Sequence, residues 1–518
     1  MAVQTRTSDE EKLHQMGYAQ ELRRRMSGFS NFAISFTIIS ILSGCLTLYS
    51  YGMNTGGPII MNIGWPLVGV FVTLVGLGMA EIASTYPTAG GLYYWAAKLG
   101  GKNGPAWSWF TGWFNLLGQI GITAGIDFGG AFFMSALLNL IWGYPLDPPH
   151  IIGIYAGILI AHGLLNTFGI RLVALLNDIS VWWHLVGVAI IFVALFAIPT
   201  KHQSISYIFT GFVNNTGAAF PGAPIYVFLI GLLLAQYTFT GYDASAHLTE
   251  ETHNAAIAGP RGIVLSIVVS LVAGWILLIG VTGAIQNYAN EAAATVAPAQ
   301  IFLDALGHNW AVFLMFIVVG AQFYCGMSSV TSNSRMIYAF SRDGAVPGSE
   351  FWHRVNPRTR TPTNSIWLAV VGAFILGLPY LFNAEAYAAV TSIATIGLYI
   401  AYGIPILLRL LQGEKFQRGP WHLGQYSYIV GWIAVVWIVF IAILFVLPAA
   451  FPISLQTNFN YAIVAVGVVV LYSGGYWLAS AKNWFKGPKV QGTPEELAAI
   501  EHELETLAHA APAGGTGQ

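Results

Sequence analysis

The chain has 518 residues, of which 56% are hydrophobic and only 8% charged, and its formal net charge is −1. A soluble domain carries about a quarter charged residues, so this composition excludes an ordinary soluble protein and gives no support to a nucleic-acid partner. The two cysteines, Cys45 and Cys325, fall inside apolar runs, which excludes a disulfide framework.

Residues 1–28 are polar and charged and lack the apolar core of a cleavable signal. Within them, 10–26 can form an amphipathic helix on a membrane surface with its arginines toward lipid phosphates, or act only as an orientation signal. Apolar stretches of roughly 20 residues, enough to cross a bilayer, follow near 29–54, 59–85, 106–140, 150–168, 173–199, 222–248, 261–286, 309–341, 364–383, 388–411, 427–450 and 457–480. They are continuous rather than alternating, which predicts an all-α polytopic membrane protein of twelve spans instead of a barrel. With the amino terminus inside, 20 of the 21 lysines and arginines lie on the cytoplasmic side and only Lys201 lies opposite. Both termini are therefore expected in the cytoplasm, with the chain in the cell membrane.

Span one reads NFAISFTIISILSGCLTLYSYGMNTGG and is interrupted by Ser43, Gly44 and Cys45. Small residues let a helix open, so that the second half points unpaired N–H groups at an anion. They also let two helices pack closely. Span six carries a similar interruption in AQYTFTGYDASAHLTEET, residues 235–252. Paired interruptions in corresponding spans of two five-span halves mark a transporter site at mid-membrane, which favours opening. In span six, Tyr237, Phe239, Thr240 and Gly241 form the expected break. Its carbonyls would hold a substrate ammonium, with Tyr237 or Phe239 as an aromatic lid. Asp243 either draws an amine or caps the second half-helix. His247, Glu250 and Glu251 are expected at an inner gate with Arg261.

Three motifs carry a family resemblance. Span two ends AEIASTYPTAGGLYYWAAKLGGK, with Glu81, Pro87, Gly90, Gly91 and Tyr93 in an E-x5-P-x2-GG-x-Y pattern. The segments SNSRMIYAFSRDGAVP (332–347) and NPRTRTPTNS (356–365) follow span eight, and TGYDASAHLTEET lies in span six. Together they resemble amino acid–polyamine–organocation permeases, in the amino acid/choline branch that includes permeases for 4-aminobutyrate. The resemblance covers roughly residues 25–480. It implies an inverted five-plus-five repeat with spans one and six broken, plus two extra helices.

In span three, Thr111, Asn115, Gln119, Thr123 and Asp127 recur every four residues, continued by Ser135 and Asn139. Such a row is one helix ridge facing neighbours or a cavity. Asp127, ionisable near mid-span, is a candidate for the substrate or its gate, and the resemblance implies a pocket role for Gln119. In span five, His184 lies where proton-coupled relatives carry a basic residue, so it is a candidate for carrying the coupled proton. Asp178 is expected to pair with an arginine. In span eight, Ser328 and Ser329 stand where sodium-coupled members of the fold use hydroxyls. Thr391, Ser392, Thr395 and Tyr399 in span ten form an outer gate or pack structurally. Spans eleven and twelve read as scaffold or a homodimer contact, and the tail from 481 opens a helix with a Thr493–Glu496 capping box.

The expected organisation is 1–28, a first repeat at 29–199, a second at 222–411, two extra spans at 427–480 and a tail at 481–518. The expected function is import of a small amino acid or 4-aminobutyrate by alternating access, coupled to protons rather than sodium. A choline, ethanolamine or polyamine permease, an amino-acid exchanger and a non-transporting nutrient sensor are the alternatives. No nucleophile–base or metal-ligand constellation points to an enzyme, a cofactor or a metal.

Overall fold

The structure, a computed structural model, describes residues 8–168, 170–383, 386–454 and 459–510. Among these, strand pairing is confined to a two-residue ladder, Thr55–Gly56 with Val213–Asn214, and a single bridge between Met26 and Thr252. Eleven helices are long and apolar enough to cross a membrane, beginning with Gly28–Thr47, Ile60–Thr85, Gly101–Trp142, Pro148–Phe168 and Arg171–Ala197. After the sixth position come Ala255–Gly283, His308–Arg342, Thr363–Leu381, Ala386–Lys415, Gly424–Leu444 and Ala462–Trp484. The remaining expected span, the sixth, is the short helical piece Ala223–Thr238, followed by Ala244–His247. At 1.5 Å per residue the first piece rises roughly 24 Å, short of the roughly 30 Å hydrocarbon core. The non-helical link and the second piece complete the crossing.

Enclosure differs sharply between spans. The apolar window of span one is 89% buried and that of span twelve 11%. Polar groups on span one must therefore find partners inside the protein, whereas span twelve presents most of its apolar surface outward.

Both terminal segments pack on one end of the bundle, called the terminal face below. Gln491 N donates to Gly17 O at 2.8 Å, Ala19 N donates to Gln491 Oε1 at 2.8 Å, and His14 Nε2 lies 2.7 Å from Glu501 Oε1. The amphipathic helix expected over 10–26 forms only as Ser8–Gln15. Gly17 ends it with φ +93°, and the buried Tyr18 then anchors the chain by donating to Asp343 at 3.0 Å. The tail helix Pro494–Ala510 starts as expected, with Glu496 N donating to Thr493 Oγ1 and Thr493 N to Glu496 Oε2.

Candidate functional site

Span one does break, but at Ser40, three residues before the small-residue cluster. Helix Gly28–Ile39 ends there, Ser40 takes φ 42° and ψ 81°, and a second helix runs over Ile41–Thr47. Left-handed backbone at a non-glycine residue costs on the order of 1–3 kcal/mol and persists only when neighbours hold it. The holder is His184 of span five, whose Nε2 lies 2.7 Å from Ser40 Oγ. His184 Nδ1 lies 2.7 Å from the Ser180 carbonyl. Nδ1 therefore carries the proton, and Nε2 accepts from the Ser40 hydroxyl.

The shift changes which groups are free. Ser43 N and Gly44 N both donate to Ser40 O, at 2.8 and 2.7 Å, so the amides expected to meet an anion around Gly44 are taken. Ile41 and Leu42 now open the second half-helix, and their N–H groups have no acceptor among the described residues. Gly44 serves close packing instead, because a Cβ there would lie 2.5 Å from Thr238 Cγ2 of span six. Ser43 Oγ donates to Gln322 Oε1 of span eight at 2.6 Å, and Cys45 is fully buried.

Span six breaks where the sequence places the break. Its first piece ends at Thr238, Gly241 takes φ +85°, and helix resumes at Ala244. Tyr399 Oη donates to Phe239 O at 2.6 Å and Thr240 Oγ1 to Tyr237 O at 2.6 Å. The Thr238 and Thr240 carbonyls accept no hydrogen bond among the described residues. Phe239 packs on Trp65 of span two with ring centroids 4.3 Å apart, while the Tyr237 hydroxyl lies against Gly125 of span three. All residues from 231 to 252 are buried. The two broken spans thus pack on each other in one enclosed place, Thr238 against Gly44 and Gly241 against Ile38.

Asp243 does not cap the second half-helix, since its side chain makes no cap hydrogen bond. Spans three and ten take it up instead. Gln119 Nε2 donates to Asp243 Oδ2 at 2.8 Å, Tyr402 Oη donates to Oδ1 at 2.8 Å, and His247 Nε2 lies 3.3 Å from Oδ2. The span-three row is buried from Thr111 to Ser135, and Asn139 at its end is exposed. Asn115 meets His247 at 3.3 Å, Thr123 meets Ser329 at 2.9 Å, and Asp127 Oδ1 lies 3.0 Å from His162 Nδ1 of span four. Ser328 donates to Asn177 of span five. Ser40, His162 and Tyr402 were not singled out from sequence. Each lies in an apolar run, and its role comes from a partner on another span.

The terminal face is closed by ion pairs rather than by Arg261. Arg342 donates to Glu250 at 3.1 Å, and Arg335 donates to Glu251 at 2.8 Å. His247, expected at this gate, turns to Asp243 and lies 2.9 Å from the Ala89 carbonyl. Among the described residues Asp178 has no arginine partner, and it accepts from Ser30 at 3.2 Å. The span-two motif is built into the same closure: Glu81 pairs with Arg409 at 3.0 Å, and Tyr93 donates to Asp343 at 2.7 Å. On the opposite face a cavity of about 40 Å³ is lined by Tyr51, Ile230, Leu233 and Ser392 of spans one, six and ten, among others.

A family model described as amino acid permease matches residues 26–470. The chain is 44% identical over 499 residues to amino-acid permease BAT1 of Arabidopsis thaliana, covering 93% of this chain and 96% of the relative. It is 32% identical over 500 residues to the GABA-specific permease of Saccharomyces cerevisiae, covering 93% and 86%. Amino-acid permease 2 of Neurospora crassa is 28% identical over 489 residues, covering 93% and 89%. Motifs, helix content and these matches agree: the chain belongs to the amino acid permease family of the amino acid–polyamine–organocation superfamily and is a multi-pass membrane transporter.

Proposed function

We propose that the protein imports a small zwitterionic amino acid, 4-aminobutyrate included, across the cell membrane by alternating access of an inverted five-plus-five repeat. Both termini are placed in the cytoplasm, following the distribution of lysine and arginine. The observation that carries this reading is the adjacency of the two breaks. The substrate carboxylate meets the Ile41 and Leu42 amides at a helix N-terminus, and the ammonium meets the Thr238 and Thr240 carbonyls. An organic-cation substrate would need a carboxylate facing the breaks. Asp243, the carboxylate nearest the span-six break, is instead held by Gln119, Tyr402 and His247.

Proton coupling is assigned to His184. A second proton on its Nε2 turns the Ser40 hydroxyl from donor to acceptor, so His184 charge is linked to the geometry of the span-one break. Proteoliposomes given an inward proton gradient test this. Wild type is expected to accumulate labelled amino acid, and His184→Ala to lose gradient-driven accumulation while retaining counterflow exchange. An unchanged gradient response in His184→Ala removes the residue from coupling.

A further inference from the structure

The terminal face holds a cavity of about 220 Å³ beside the Arg335–Glu251 pair. It lies between the segment leading into span one, the first turns of span five, span eight and the loop before span nine. Five guanidinium groups line it, from Arg23, Arg25, Arg171, Arg335 and Arg360, against the single lining carboxylate of Glu251. That carboxylate is already held by Arg335, and Arg360 donates to the carbonyls of Gln20 and Glu21. Asp178, two turns along span five from Arg171, accepts from Ser30. Among the described residues, no side-chain hydrogen bond or ion pair forms at Arg23, Arg25 or Arg171.

Like charges gathered without a counter-ion are unfavourable. Burial and then the neighbouring Arg25 and Arg171 pull the Arg23 pKa below its ordinary value. The cavity has room for roughly seven water molecules at about 30 Å³ each, enough for one tetrahedral oxyanion and part of what it is attached to. Guanidinium forks match phosphate oxygens two at a time, and basic pockets between spans at a membrane surface suit lipid headgroups. We infer that this cavity binds a phosphate-bearing anion, supplied as a lipid headgroup or as free phosphate. Once bound, the anion ties the approach to span one to spans five and eight, which resists their separation.

The test is thermal unfolding of the purified full chain in neutral detergent at constant ionic strength. It is titrated separately with dioctanoyl phosphatidic acid, inorganic phosphate and dioctanoylglycerol. The expected result is a saturable rise in Tm with a phosphate probe and none with dioctanoylglycerol. A rise with phosphatidic acid alone identifies a lipid headgroup, and an equal rise with inorganic phosphate identifies the free anion. Arg23→Gln/Arg171→Gln should weaken apparent affinity at least tenfold while melting, without anion, no lower than wild type, because it removes unpaired like charges. Arg25→Gln, at an exposed side chain, gives a second and smaller reduction. No rise with either phosphate probe, or an undiminished rise in both variants, overturns the inference. Substrate binding is a separate readout, so failure here leaves the transport reading standing.

Discussion

Gly241→Leu should reduce uptake to background while the protein still inserts. Gly241 holds φ +85°, and a Cβ at that position would lie 2.1 Å from Ile38 Cγ2. Ile38 stands two residues before the span-one break, so the clash falls where the two broken spans approach each other. Left-handed strain and overpacking together should destabilise the protein by at least about 2 kcal/mol. The overpacking part is separable: Ile38→Ala placed in a Gly241→Ala background should restore some uptake by giving the new methyl room. Wild-type transport by Gly241→Leu would remove the break from the substrate path.

Glu250→Gln should open the terminal face. The Glu250 side chain is fully buried and receives Arg342 at 3.1 Å, Thr88 Oγ1 at 2.9 Å and the Ala89 amide at 3.0 Å. Removing one partner strands a buried guanidinium, at a cost of about 3–5 kcal/mol, so both Tm and substrate affinity should fall. Arg342→Gln should behave similarly, and the double variant should lose less than the sum of the two.

The pH dependence has a definite sign. Burial pushes the Glu250 carboxyl up, but Arg342 and the hydrogen bonds outweigh it and hold it below its ordinary 4.5. A depressed carboxyl contributes stability that is complete above the unfolded value and lost as pH falls through the folded one. The Tm gap between wild type and Glu250→Gln should therefore be constant at neutral pH and narrow only below about pH 4.5. Equal Tm values at neutral pH would show that the pair does not hold the face closed.

The apolar runs made the spans legible, and Gly241 beside Tyr242 and Asp243 in a membrane-length run made the span-six break legible. The span-one break was not legible to the residue. Ser43, Gly44 and Cys45 carry the stronger local signal, yet Gly44 is small because Thr238 packs on it. Ser40 opens because His184, far along the chain, holds its hydroxyl. Asp243 illustrates the same limit. Its position suits an amine contact or a cap, but Gln119, Tyr402 and His247 take up the carboxylate from other positions. The span-three row was legible as one face, whereas its partners, such as His162, follow only from how the helices are arranged.

The most direct measurement is Tm of the detergent-purified protein, in sodium-free buffer, across 4-aminobutyrate, the common α-amino acids, choline, ethanolamine and putrescine. Ligands that bind only the folded state raise Tm by mass action. A rise with one or more zwitterions, and none with choline or putrescine, is the predicted result. A rise with choline or putrescine alone would contradict it, because the Ile41 and Leu42 amides would then have no carboxylate to receive.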